Sequence, residues 1–255
     1  MPFHLAGYTE SQDSATLVNV AALADDLLTV VGDNIRIPAS SPERPAMNFL
    51  AAAYALGPNV TQARLVAPSL ERLTRFQIAP IDVNAEPTYP LTISELWANP
   101  KALDPDENMQ AQAAEDGAGA TRATLLIWLA DGPIQPITGE IFTTRVTGTT
   151  TLVANAWTRG TIVLDEELPV GRYALVGAFF VAAGLQAFRF RPIGSPYAPG
   201  AVGADAIGDS GHSRFRKGGL GAWFEFTHNV LPSLEYLSNS ADTAETGWLD
   251  LIKVA

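Results

Sequence analysis

Hydrophobic and polar positions alternate most cleanly in the second half of the chain. Ile141-Phe142-Thr143-Thr144-Arg145-Val146 alternates and runs into a threonine-rich stretch at 147–151. Thr161-Ile162-Val163-Leu164 follows and ends at an acidic turn and Pro169. Residues 172–182 form a long apolar run, and Gly184 falls where a hairpin turn is needed. In the next segment, 185–191, Phe188 and Phe190 take one side and Arg189 and Arg191 the other. Segment 222–226 repeats the pattern, with Phe224 and Phe226 opposite Glu225, and segments 233–237 and 248–254 close the chain. Such period-two patterning marks strands with one buried face. It predicts about eight strands at the spacing of a β-sandwich or jelly roll. It also predicts that Phe188, Phe190, Phe224 and Phe226 line the core.

The first half is patterned differently. Residues 15–28 place Leu17, Val20, Ala21, Ala24, Leu27 and Leu28 at helical spacing. Residues 105–116 read as a short helix, stopped by Gly117-Ala118-Gly119. A short strand is expected at 33–38 and extended chain at 63–66 and 76–83. Residues 47–56 fit either a helix or a strand, and 85–100 are punctuated by proline. The halves also echo each other. Thr16-Leu17-Val18-Asn19-Val20-Ala21 resembles Thr151-Leu152-Val153-Ala154-Asn155-Ala156, and Gln62-Ala63-Arg64-Leu65 parallels Gln186-Ala187-Phe188-Arg189. An offset of about 125 to 135 residues would mean two copies of one domain. The expected domains are residues 1–120 and 121–255.

Composition narrows the function. The chain has 16 basic and 27 acidic residues, a net charge of -11, so an acidic field repels phosphate backbones and anionic lipid. Direct sequence-specific nucleic-acid binding is not expected. Charged residues make up 17 %, below the usual figure of about 25 %, so the surface is either neutral-polar or largely covered by partners. There is no cysteine, so thiol chemistry, disulfides and cysteine metal sites are excluded. Met1-Pro2-Phe3-His4 has neither a basic nor an apolar region, so no secretory leader is expected. No apolar run approaches the ~20 residues of a membrane-spanning helix.

Candidate chemistry is sparse. Gly208-Asp209-Ser210-Gly211 matches the nucleophile tetrad of chymotrypsin-like serine proteases. A serine nucleophile needs a histidine base held by a carboxylate. Only His4 precedes Ser210, at the far end of the chain, so the tetrad reads as a polar loop. Asp104, Asp106, Asn108 and Glu115 stand at positions one, three, five and twelve of an EF-hand-like loop, but Met109 replaces the glycine needed at six. His4, His212 and His228 are not spaced for a metal. Catalytic residues, metal ligands and cofactors are therefore all expected to be none. Trp97, Trp128, Trp157, Trp223 and Trp248 could form a sugar-binding platform or fill cores and interfaces. The one basic cluster is Arg214, Arg216 and Lys217. It lies in a turn-rich excursion of about thirty residues, 192–221, a length that calls for a function. The cluster reads equally as a solvated loop or as a subunit contact, and with Tyr197 and Phe215 the excursion has interface composition. Tyr197, Arg214, Phe215, Arg216 and Lys217 are the expected subunit contacts, facing acidic neighbours such as Asp165, Glu166 and Glu167.

The strand–Gly–strand unit at 172–191, the excursion 192–221 and the closing strands together resemble viral jelly-roll coat proteins. The tail, with Leu234-Glu235-Tyr236-Leu237-Ser238, Ala241-Asp242-Thr243 and Leu249-Asp250-Leu251, resembles coat proteins of small tailless phages. With a duplicated first half, the chain resembles the double jelly-roll major capsid proteins. That resemblance implies an all-β fold of two tandem jelly rolls, with short helices in the N-terminal half and the connection. It implies a structural, non-enzymatic protein forming homotrimers of pseudo-six-fold outline that tile an icosahedral shell. Partners would be other copies, other capsid proteins and an internal membrane. The location would be the virion, assembled in the host cytoplasm. The alternative reading is a carbohydrate-binding β-sandwich using exposed aromatics and loop carboxylates, with an enzyme third.

Overall fold

The computed structural model describes residues 3–39, 46–71, 75–81, 94–117, 119–149, 151–205, 213–241 and 245–254. Two compact units are present: residues 5–133 form one, and residues 134–255 with 1–4 form the other.

The first unit holds β1 (Phe3–Gln12) from Leu5 onward, β2 (Val18–Val20), β3 (Thr29–Val31), β4 (Asn34–Arg36), β5 (Phe49–Leu56) and β6 (Val60–Val66). β7 (Phe76–Ile78), β8 (Pro80–Ile81), β9 (Ser94–Glu95), β10 (Lys101–Ala102), β11 (Asn108–Glu115) and β12 (Thr121–Ala130) complete it. One sheet runs β1-β12-β5-β10, with β8 and β9 also on β5. The other runs β3-β4-β11-β6-β7, with β2 also on β11. β5 and β12 are apolar almost throughout and buried on both faces, as in central strands.

Among the described residues there is no α-helix, only a 3-10 turn at Ser213–Phe215. Both expected helices are corrected. Residues 15–28 are loop around the short β2, and residues 105–116 are a turn followed by β11. The second error has a clear cause. Met109, Ala111 and Ala113 are buried while Gln110 and Gln112 are half-buried, which is period two. The alanines between glutamines read equally well as helix formers, and pairing with β4 and β6 decided for strand. The ambiguous segment 47–56 became β5 for the same reason, since β12 pairs along its length.

The second unit holds β13 (Phe142–Thr149), β14 (Trp157–Leu164), β15 (Arg172–Val181), β16 (Leu185–Arg191), β17 (Gly200–Val202), β18 (Phe224–Thr227), β19 (Ser233–Ser238) and β20 (Glu245–Lys253). The order is β17-β16-β19-β14-β13-β20-β15-β18. Its core is aromatic. Phe180 packs on Phe188 at 4.8 Å and on Tyr236 at 5.7 Å, and Phe190 meets Trp223 at 6.1 Å. Phe3 joins this core against Trp223 at 5.4 Å, and His4 Nδ1 accepts the Ala198 amide at 3.1 Å.

Phe188 and Phe190 are fully buried as the alternation predicts. Phe224 and Phe226 share a side but are only half-buried, because β18 is a short edge strand pairing with β15 alone. Phe190→Ala should therefore lose about 3–5 kcal/mol of stability by opening a cavity in a close-packed core. Phe224→Ala should lose about half as much, since one side of its ring is already in water. Denaturant unfolding of both variants checks this, and equal losses would contradict the burial difference.

Candidate assembly surface

The excursion after β16 folds back onto its own unit. β17 pairs with β16 at Ala187–Arg189. Ala204 then donates to the Phe180 carbonyl at 3.0 Å and accepts from Ala182 at 3.1 Å, passing the end of β15. Further on, Gly218 donates to the Val176 carbonyl at 2.7 Å and Trp223 to that of Leu175 at 2.8 Å. Between these contacts the turn backbone lies directly over Gly177. A Cβ on Gly177 would sit 2.9 Å from both the Lys217 nitrogen and the Arg216 Cα. The pairing of β15 with β20 shifts register beside this glycine.

Asp250 holds the turn in place. It sits mid-β20, opposite Thr143 of β13 and Gly177 of β15. Leu249 and Leu251 on either side point to the core and are buried. The Asp250 carboxylate is fully buried. It accepts Arg216 Nε at 2.7 Å and Arg216 Nη2 at 3.0 Å. It also takes the Lys217 amide at 2.8 Å and the Thr143 hydroxyl at 2.7 Å. Lys217 Nζ lies 3.4 Å away and bonds the Thr143 hydroxyl oxygen as well. Burial alone would push this carboxyl up. The Arg216 fork, the Lys217 amide and the Thr143 hydroxyl outweigh it and bring the carboxyl down to about 2.

The expected contact residues are thus distributed unevenly. Tyr197 and Phe215 are buried within the unit, Phe215 against Trp223 at 6.5 Å. Arg216 is bonded to Asp250. Arg214 and Lys217 are exposed on the turn. Asp250 was the residue that sequence reasoning missed. A carboxylate flanked by two leucines in an apolar strand demands a buried cation, and the one basic cluster was the place to look for it.

A second ionic centre corrects the two-faced reading of 185–191. Arg189 does point away from Phe188 and Phe190, yet it is 1 % exposed. Its Nε bonds Glu235 of β19 at 2.6 Å, and its guanidinium stacks 4.2 Å from the Trp157 ring centroid. Arg191 and Arg159 lie 3.0 and 3.6 Å from the same carboxylate. Burial would raise the Glu235 carboxyl, but Arg189 and Arg191 together hold it below the usual range.

A groove of about 690 Å³ opens between the start of β13 and the β14–β15 connection. Phe142, Tyr173 and Trp248 line it together with Asp165, Glu166 and Glu167 and with Arg145 and Lys253, so its charges are of both signs. Phe142 meets Tyr173 edge to face at 5.9 Å, and the Tyr173 hydroxyl donates to the Pro169 carbonyl at 2.6 Å. Arg145 reaches Asp165 at 2.6 Å.

The other candidates resolve as follows. Residues 208–211 and His212 lie outside the described residues. His228 Nδ1 accepts from the Gly171 amide at 3.4 Å. The EF-hand-like spacing does not form a loop. Asp106 pairs with Arg36 at 3.2 Å, while the extended β11 carries Glu115 about 23 Å from Asn108. Trp97, Trp128 and Trp223 are buried, so the five tryptophans do not make one exposed platform.

No family model and no curated protein matches the chain. Among solved structures it is similar to the major capsid protein P2 from bacteriophage PM2. The match covers 99 % of this chain and 98 % of that one, at 11 % identity and a TM-score of 0.27. At that score the likeness carries no weight for the fold, which rests on strand order.

Lowering the pH should remove the Asp250 anchor. Its carboxyl is depressed on folding, so its contribution is fully present above the unfolded value of 3.8. It is lost as pH falls from there through about 2. The loss should be about 2 kcal/mol on the scale of about 1.4 kcal/mol per pH unit. Asp250→Asn removes the same charge and should cost about 2 kcal/mol at neutral pH, on the same scale as protonation. It should also flatten this part of the acid profile. Urea titrations of both proteins between pH 2 and 7 test it, and parallel profiles would rule out Asp250 as the titrating group.

Proposed function

We propose that this chain is a double jelly-roll major capsid protein, with two tandem jelly-roll domains that assemble as a homotrimer and then as the lattice of an icosahedral virus particle. The observation that carries this reading is strand order. In the second unit, with the strands counted 1 to 8 from β13 to β20, the two halves of the sheet read 1-8-3-6 and 2-7-4-5. In the first unit, β1, β4, β5, β6, β7, β10, β11 and β12 counted the same way give the same two orders. Eight strands in two such sheets are the jelly-roll arrangement. Its recurrence in one chain supports a duplication, with the division near residues 133 and 134.

Two like domains per chain give a trimer six similar units, which is what a pseudo-six-fold tile requires. The low charged fraction fits a surface that packs against copies. Two ionic centres folded inward, at Asp250 and Glu235, are scaffold features and not a reactive constellation. The virion is the proposed location, with assembly in the host cytoplasm, and other capsid proteins and an internal membrane are proposed neighbours. The sugar-binding alternative is weakened by the burial of three of the five tryptophans.

Native mass by light scattering with electron microscopy tests the proposal. The expected result is a trimer, three times the chain mass, or larger regular particles. A monomer at every accessible concentration would overturn it.

A further inference from the structure

Two buried polar side chains share one corner of the first unit. On β11, Met109, Ala111 and Ala113 face the core, and Glu115 continues the same face at the end of the strand, 1 % exposed. On β1, the Tyr8 hydroxyl reaches across the sandwich to the Met109 carbonyl at 2.8 Å, and Gln12 lies on the same side of the strand four residues on. The segment after β1 closes this edge. Val18–Val20 pairs with β11, and the chain then crosses to β1, where Thr9 donates to the Ala21 carbonyl and Leu23 to the Gly7 carbonyl, both at 2.9 Å. Gln12 Nε2 donates to the Asn19 carbonyl at 3.0 Å, and the Glu115 amide donates to the Ser14 carbonyl at 2.8 Å. Both residues are thus tied to the same short segment, 14–19.

Neither carboxylate oxygen of Glu115 has a hydrogen-bond partner within the chain, and Gln12 Oε1 has none either. Both residues are buried. A buried charge is either paired with an opposite charge or coordinates a metal. The acceptors at this corner are all oxygens: the carboxylate, the side-chain amide, and the Ser14 and Asn19 carbonyls, each of which keeps a second lone pair. An all-oxygen set selects hard cations over zinc or copper, which seek nitrogen and sulfur.

We propose that this corner binds a hard metal cation, with the Glu115 carboxylate and Gln12 Oε1 as its side-chain ligands. The inference does not depend on the capsid reading. Magnesium demands a near-ideal octahedron and keeps its waters, whereas calcium accepts an irregular oxygen shell, so calcium suits a buried corner better. The ion ties the end of β1 to the end of β11. A site built from both strands exists only in the folded unit, so binding adds to its stability.

Thermal unfolding tests the site. Protein stripped by a chelator would be melted in calcium, magnesium, potassium or choline chloride at equal ionic strength. Calcium should raise the wild-type midpoint by about 5 °C over choline, and magnesium and potassium by less. Glu115→Gln should lose this shift, and in choline it should melt above wild type, because an uncompensated buried charge is gone. Elemental analysis after dialysis should find calcium retained by wild type and lost from Glu115→Gln. A larger shift with magnesium or potassium would support the oxygen site and identify its cation. A wild type that no metal salt stabilises beyond choline, or a Glu115→Gln that keeps the full shift, would overturn the proposal. Should Glu115→Gln fail to fold, Gln12→Met keeps the bulk and removes one oxygen. It should raise the calcium concentration for half the shift by about tenfold, and an unchanged concentration would equally overturn the site.

Discussion

A carboxylate in the middle of a buried strand has to be neutralised where it stands, and much of the second unit is arranged around that need at Asp250. Moving an isolated charge out of water costs several kcal/mol. Arg216, the Lys217 amide and the Thr143 hydroxyl meet the requirement together. Two of these donors come from the excursion between β17 and β18. The excursion is therefore drawn across β15, and that crossing in turn demands a residue without a Cβ at 177. One acidic side chain thus accounts for the path of a long loop, the glycine beneath it and the exposed position of Arg214.

The same economy of charge appears on the other half of the sheet. Glu235 gathers Arg189 and Arg191, with Arg159 further out, and Trp157 roofs the Arg189 guanidinium. In both centres a carboxylate on a central strand is matched by arginine, whose planar fork satisfies two acceptors at once. Breaking either centre from one side leaves a buried charge without its match, so each specifies the register of the strands that carry it. Much of the basic content of this unit is used internally.

How much was legible in the sequence depended on the competition between propensity and pairing. The alternation at 185–191 is β16, most of the long run at 172–182 is β15, and the alternation at 222–226 forms β18 from Phe224 onward. At 105–116 the alternating alanines and glutamines carried both a helical preference and a period-two pattern, and pairing with β4 and β6 selected the strand. At 15–28 the helical spacing was accidental, and β2 paired with β11 instead. Tyr197 and Phe215, expected as subunit contacts, are buried in their own unit. Composition does not say whether an aromatic side chain meets its own unit or another.

The sequence by itself determined the strands of the second half, the acidic field and the absence of cysteine chemistry, because these follow from local periodicity and counting. Only tertiary structure decided that β1-β12-β5-β10 and β13-β20-β15-β18 are the same arrangement, since strand order is a matter of contacts between residues far apart in the chain. It likewise decided that Arg189 is buried and that Arg216 belongs to Asp250. Partners separated by 46 and 34 residues leave no local trace. They meet because the sheet closes, and burying a charge then leaves a single place for its counter-charge to go.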